Sequence, residues 1–262
     1  MRRHFFMGSG RFASAAVEGV ALPALTGNPA VLAHWDFDAA STAGLSGSDI
    51  DSIASRAGGS HTLLTPGNMP SQTTRGGKKV ATFVAASTEY MQIASACGIN
   101  TANGCTFVVV GYNPQPTVAN YWLLDVANSA STSSRDRYSC ASINGSNGYR
   151  TRKSSASASG DAQVGVTPAT GLFLLVSRFT GGTGVATQHV NGDGTPEVSG
   201  SIGAPTGLSH TTLGALYASS ALSAYAEMDI FTAAILEGDI GATAAEELAA
   251  WAVTNYGITN AA

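Results

Sequence analysis

GLFLLVSRFTGGTGVATQHVNGDG, residues 171–194, is the stretch that decides the fold. It opens on a nearly continuous apolar run, GLFLLVSRF, the pattern of a strand buried on both faces. A glycine-rich turn, TGGTG, leads into VATQHV, which ends on Asn191-Gly192, a dipeptide that tolerates the positive φ angles of a tight hairpin. Consecutive antiparallel strands are the direct reading. Further out, VLAHWDFD (31–38) alternates: Val31, Ala33, Trp35 and Phe37 share one face, His34 and Asp36 the other. Strands are also predicted at HTLLT (61–65), KKVATFV (78–84), EYMQI (89–93), CTFVVVGY (105–112) and YWLLDV (121–126). RYSCASI (137–143), TTLGALY (211–217) and YAEMDIFTAAI (225–235) complete the set, with Gly, Pro, Asn and Ser between them. Many short strands without interleaved helices predict an all-β sandwich or barrel, not a parallel α/β sheet.

One helix is signalled, over residues 243–256. Thr243 and Glu246 have the spacing of a capping box, and Leu248, Trp251, Ala252 and Tyr256 form one apolar stripe. Gly257 stands where a left-handed cap is needed. The helix is expected to dock through Trp251. TRGGKK reads as a hairpin turn and SSASASG (154–160) as a mobile loop. Residues 1–30 differ from the 31–262 domain: Phe5, Phe6, Phe12, Val17, Val20, Leu22 and Leu25 lack any sustained period. This is an extended N-terminal arm, which either folds over its own sandwich or lies on a neighbouring subunit. In the second case Arg2, Arg3, Phe5, Phe6 and Phe12 are the assembly contacts.

Of the 262 residues 44% are hydrophobic and only 11% charged, against roughly 25% charged in ordinary soluble proteins. The net charge of −4 supplies no basic field for nucleic acid. The local basic group Arg135, Arg137, Arg150, Arg152 and Lys153 reads as a solvated loop pair, with a contact to an acidic partner or anionic glycan as the alternative. No apolar run approaches bilayer-spanning length, and Gly8, Ser9, Gly10 and Arg11 interrupt any signal-peptide core. Cys97 and Cys105 are near enough in sequence to bridge, but reduced, buried thiols are the favoured reading of three cysteines, pointing to a reducing cytoplasm.

Taken in order, HWDFD, VATFVAASTEYMQI, CTFVVVGY, FLLVSRFTGGTGVATQHVNGDG, TTLGALYASSALSAYAEMDIFTAAI and LAAWAVTNYGI resemble the concanavalin A-like, laminin-G-like jelly roll, across residues 31 to 258. That domain is common in bacterial surface proteins and in tailed-phage virion proteins. The resemblance implies an antiparallel jelly-roll sandwich. It also suggests a non-enzymatic structural protein of a virus particle (capsid decoration, head fibre or tail), assembled in the host cytoplasm with other virion proteins or with its own copies. A lectin-like carbohydrate-binding module, directed at cell-surface glycans, is the first alternative; a glycan-cleaving enzyme is the second. The fold leaves a structural calcium open, with Asp49, Asp51 and Asp193 as candidates, although turn chemistry also explains them. No other cofactor is expected.

Glu227-Met228-Asp229 resembles the opening of the E-x-D-x-(x)-E strand of glucanases built on this sandwich. Retaining hydrolysis needs two carboxyl groups about 5–5.5 Å apart. The place of the second glutamate is held by Phe231 or Thr232, neither of which can protonate a leaving group. Simple alternation instead sends Ala226, Met228 and Ile230 to the core and Glu227 and Asp229 outward. No G-x-S-x-G elbow occurs, and the five histidines are isolated in sequence, leaving His34 and His189 to meet across a sheet if at all. For sugar stacking, aromatics near loops are candidates: Tyr112, Tyr121 and Tyr217, and ahead of them Trp122, Tyr138 and Tyr149.

Overall fold

A computed structural model describes residues 19–39, 43–57, 61–114, 120–130, 136–143, 148–156, 159–163, 171–192, 196–218 and 220–259. The chain runs β1 (Val31–Asp36), β2 (Ala43–Ser46), β3 (Asp49–Ala54), β4 (Thr62–Leu64), β5 (Ser71–Arg75), β6 (Lys78–Phe83) and β7 (Met91–Ile93). It continues with β8 (Gly104–Asn113), β9 (Tyr121–Ala127), β10 (Arg137–Ile143), β11 (Gly148–Ser154), β12 (Ser159–Gln163) and β13 (Gly171–Thr180). Next come β14 (Ala186–Val190), β15 (Glu197–Val198), β16 (His210–Leu213), β17 (Leu216–Ala218), β18 (Ala221–Ser223), β19 (Met228–Glu237) and helix α1 (Gly241–Tyr256).

The apolar runs sit centrally. β8 and β13 pair antiparallel over their full lengths, Gly171 opposite Asn113 and Thr180 opposite Gly104. Around them the first layer orders as β15-β14-β13-β8-β19, with β1 and β6 sharing the far side of β19 and β5 beyond β6. The second layer orders as β12-β11-β10-β9-β16-β7-β4-β3-β2. A pairing of Asp49 on β3 with Ser71 on β5 joins the layers along one edge. The result is the antiparallel sandwich that the strand pattern predicts. Arg75 and Lys78 close the β5–β6 hairpin around Gly76 and Gly77, whose φ values of 57° and 80° fit the two-residue turn read at TRGGKK.

Between the layers lies an aromatic core, including Trp35, Phe37, Phe83, Phe107, Tyr138, Tyr149, Phe173 and Phe179. Removing a ring of this kind costs about 3–5 kcal/mol. Polar ties also cross it. Thr151 and Ser177 share a hydrogen bond at 2.6 Å, and Lys153 Nζ donates to the carbonyls of Thr180 and Gly182, both at 2.8 Å. Cys97, Cys105 and Cys140 are buried free thiols.

A second apolar cluster lies on the outer face of the first layer, where Val108, Val110, Leu174, Val176 and Leu236 meet Leu248, Trp251 and Tyr256 of α1. β1, which alternates as if half-buried, is buried on both faces: His34 is 4% exposed and Asp36 0%, with Arg56 paired to Asp36 and with Ser55 and Thr232 bonded to His34. The described part of the arm belongs here too. Val20, Leu22 and Leu25 pack against the cluster, Trp251 Nε1 donates to the Ala21 carbonyl at 2.9 Å, and Thr26 bonds Glu247. Residues 20–26 therefore lie against the chain's own helix and its cluster, and the Ala30 carbonyl accepts from the Glu237 amide at 2.9 Å. The proposed assembly contacts Arg2, Arg3, Phe5, Phe6 and Phe12 fall outside the described residues.

Several local expectations need correction. The helix begins at Gly241, not Thr243, and no side chain caps Ile240. Asp239 Oδ1 accepts from the Gly241 amide instead, at 3.0 Å, so Thr243 already lies within the first turn. Gly257, at φ 70°, ends the helix as read. The stretch 154–160 links two strands: Ser154 ends β11 and pairs with Ser159, which opens β12, so its two ends lie in the sheet. TTLGALY is two strands broken at Gly214, with β17 and β18 forming a separate hairpin.

Candidate functional site

Strand register lays one row of side chains across the outer face of the second layer. Leu64 on β4 opposes Gln92 on β7, which opposes Thr212 on β16. Thr212 opposes Asp125 on β9, Asp125 opposes Ser139 on β10, and Ser139 opposes Arg152 on β11. Directly paired residues point to the same face, so the row is continuous. Its ends differ. Leu64 is 54% exposed, whereas Thr212, Asp125 and Ser139 are 0% exposed. The β17–β18 hairpin lies on this inner half, where Leu216 and Ala224 pack over Trp122 and Ala141.

A buried ion pair pins that hairpin. Arg137 Nη1 donates to both oxygens of Asp125, at 3.1 and 3.0 Å, and neither side chain reaches solvent. Each partner also holds the backbone of Tyr217: its amide donates to Asp125 Oδ2 at 3.0 Å, and its carbonyl accepts from Arg137 Nη2 at 3.0 Å. Burial pushes the Asp125 carboxyl up to about 6, while the charge of Arg137, the Tyr217 amide and the charge of Arg152 pull it back. Ion pairs this deep give little net stability. What this one does is fix the place of a single tyrosine.

Around the open half of the row stand four half-buried rings: Tyr90, His210, Tyr217 and Tyr225. His210 and Tyr217 lie 4.8 Å apart between centroids and tilted by 32°, and Tyr90 and Tyr225 lie 6.3 Å apart. Burial raises the Tyr90 hydroxyl, helped by the neighbouring Tyr225 and Tyr217, so three of these phenols occupy one patch. Burial lowers His210, which keeps its ring neutral at pH 7 and bonded through Nδ1 to Ser209 at 3.0 Å. Gln92 Nε2 donates to Thr212 Oγ1 at 2.9 Å. The open half thus combines flat amphipathic rings, amide and hydroxyl groups, and the apolar Leu64, with no ionised side chain among them.

The three aromatics placed first for sugar contact lie elsewhere. Trp122 is 5% exposed, Tyr138 0% and Tyr149 3%, so none offers a ring face to a ligand. Tyr138 packs on Phe179 at 4.7 Å and Tyr149 on Phe173 at 4.9 Å, both inside the sandwich. Tyr121 is also buried, and Tyr112 belongs to the other layer. Of the original six only Tyr217 joins the patch. Tyr90 was legible only as a residue of EYMQI in phase with Gln92; His210 and Tyr225 carried no signal without the register.

Other chemical candidates resolve into structure. Arg137 and Lys153 are fully buried on strands rather than solvated in loops, and Arg150 and Arg152 are half-buried on β11; Arg135 lies outside the described residues. Asp229 points away from the core as alternation requires but is only 6% exposed, held by Arg75 Nε at 2.5 Å and Thr82 Oγ1 at 2.7 Å. Phe231 packs in the helix cluster, and Thr232 donates to the Trp35 carbonyl. His34 bonds Thr232 and His189 bonds Arg178; β19, β8 and β13 separate their strands, so the two rings do not meet. Asp49 accepts from Ser48 and Ser71, Asp51 accepts from Ser52, and Asp193 is outside the described residues. Among the described residues no group of three or more His, Cys, Asp or Glu could hold a metal ion.

No family model matches the chain, and neither does any curated protein. Solved structures do match. Domain 4 of AbnA, an extracellular arabinanase from Geobacillus stearothermophilus in complex with arabinotriose, superposes with a TM-score of 0.61 at 14% identity, covering 84% of this chain and 98% of that one. A GH54 α-L-arabinofuranosidase soaked with a cyclic sulfate inhibitor gives 0.58 at 12% identity, over 88% of this chain and 64% of the other. The binding domain of botulinum neurotoxin DC in complex with SialylT gives 0.55 at 11% identity, over 78% and 51%. Identities this low establish a shared β-sandwich fold. These neighbours are sugar-binding or glycoside-hydrolase proteins, and they lend the virus-particle reading no support.

Proposed function

We propose that this chain is a non-catalytic carbohydrate-binding module that takes a neutral oligosaccharide on the outer face of its second layer. The observation that carries the reading is the patch of Tyr90, Tyr217, Tyr225 and His210 beside Gln92, with Tyr217 anchored by a buried ion pair. Sugars present alternating apolar C–H faces and hydroxyl edges. Tyrosine serves both, since its ring stacks and its hydroxyl donates and accepts. Uncharged side chains at the open half favour a neutral ligand. The shared fold with a domain solved with arabinotriose supports the same direction and makes arabino-oligosaccharides the first probes.

Calorimetry against neutral oligosaccharides, arabinotriose included, tests the reading. Binding is expected, and Tyr217→Ala or Tyr90→Ala should weaken it about tenfold, the loss of roughly 1.4 kcal/mol of ring contact. Val198→Ser, at an exposed position on β15 of the other layer, should bind as the parent does. If no neutral glycan binds at millimolar concentration, or if the two tyrosine variants bind unchanged, the proposal fails.

A further inference from the structure

A cleft lies on the opposite side of the molecule. On the outer face of the first layer, Leu172, Tyr112 and Asp229 are directly paired across β13, β8 and β19. A bulge between Ile230 and Thr232 sets Phe231 beside them on this face. The β5–β6 turn on one side and the end of α1 on the other enclose a cleft of about 230 Å³, whose walls include Tyr112, Leu172, Phe231 and Tyr256. An apolar cavity of about 150 Å³ already holds a benzene ring. This cleft has room for a ring and a substituent.

Two cations line it. Arg75 lies over the ring of Tyr112, its guanidinium carbon 3.6 Å from the centroid. Its Nε is engaged by Asp229, while among the described residues its two Nη groups make no hydrogen bond. Lys78 Nζ stands 5.5 Å over the ring of Tyr256; Asp38 is 3.7 Å away, an ion pair too long to be a hydrogen bond. Arg75 covers a face of Tyr112 that a sugar would need, so the cleft does not repeat the glycan patch. Apolar walls with unengaged cationic donors match an anion carried on a flat apolar body.

We infer that this cleft binds a small aromatic carboxylate, its ring between Phe231, Leu172 and Tyr256 and its carboxylate at Lys78 and the Nη groups of Arg75. The site is independent of the glycan patch.

Titration of the full chain with benzoate and 2-naphthoate, followed by ligand-observed NMR and calorimetry, tests this. Submillimolar binding is expected, at least tenfold tighter than for benzamide, which has the ring without the charge. Lys78→Gln should weaken benzoate at least fivefold; the side chain is partly exposed and its ion pair is loose, so folding is spared. Leu172→Trp should block both carboxylates by filling the cleft. Thermal melts of both variants guard against misfolding, and arabinotriose binding should be unchanged in both. No carboxylate binding at millimolar concentration, equal binding of benzamide, or full affinity in a folded Lys78→Gln protein would overturn the assignment.

Discussion

Burial, aided by the nearby charge of Arg56, pushes the His34 imidazole down to about 4, and its Nε2 shares a hydrogen bond with Thr232 Oγ1 at 3.0 Å. A base whose folded pKa lies below its unfolded 6.5 contributes stability that is complete above pH 6.5 and is lost as pH falls toward 4. The difference amounts to about 3 kcal/mol between pH 7 and pH 4. Urea unfolding of the wild type and of His34→Gln across that range should show it as the variant's flatter decline; parallel curves would refute it. Asp125 works in the opposite sense, because a raised carboxyl lets the native state hold a proton that the unfolded chain has released, so its share of stability falls as pH rises from 3.8 to about 6. The sequence did not reveal either environment. Charge implies solvent by default, yet Asp125 and Arg137 are buried together because their adjacent strands place a carboxylate and a guanidinium on one covered face.

The element that this pair serves is the β17–β18 hairpin. Its own pairing spans only Leu216–Ser223, Tyr217–Leu222 and Ala218–Ala221, and an isolated two-stranded hairpin is marginal in water. The anchors on the amide and carbonyl of Tyr217 therefore decide where the tyrosine stands. Arg137→Met should cost about 3–5 kcal/mol, since it strands a buried carboxylate. Adding Asp125→Leu should recover much of that loss, because apolar replacements for buried pairs are often neutral. Glycan binding should not recover with it, as both backbone anchors are gone. Calorimetry and denaturation on the single and double variants separate the two effects; a double variant that binds as the wild type does would remove the pair from any positioning role. Sequence reading found β17 as the tail of TTLGALY but not the hairpin, for Gly214 breaks the strand and ALS carries no alternation long enough to register.

For the whole molecule, the strands legible in sequence are those with long apolar runs, such as β8, β9 and β13, which build the centre of each layer. β2, β5 and β11 were missed because AGLS, SQTTR and GYRTRKS are polar: the first two form a mostly solvated margin, and β11 satisfies its inward Thr151 and Lys153 by hydrogen bonds to the opposite layer. Of the aromatic patch the sequence named only Tyr217: register brings β7 and β16 together, and the anchors from Asp125 and Arg137 bring Tyr217 to them. The same architecture gives the molecule two unlike faces. Four buried or half-buried pairs, Arg56–Asp36, Arg75–Asp229, Arg137–Asp125 and Arg178–Asp239, hold their charges locally, and the net charge is only −4. Long-range fields are therefore weak, and the two layers differ locally: an uncharged patch on one, and on the other a cleft lined by Arg75 and Lys78, each with a carboxylate beside it. Raising salt from roughly 0.01 M to 1 M shortens the screening length from about 30 Å to 3 Å. Benzoate affinity should fall several-fold over that range, because partly exposed cations are screened, whereas arabinotriose affinity should stay within about twofold. Parallel salt titrations of one protein sample with both ligands measure the two sites against each other; a glycan affinity that fell in step with benzoate would mean that charge, and not the tyrosines, holds the sugar.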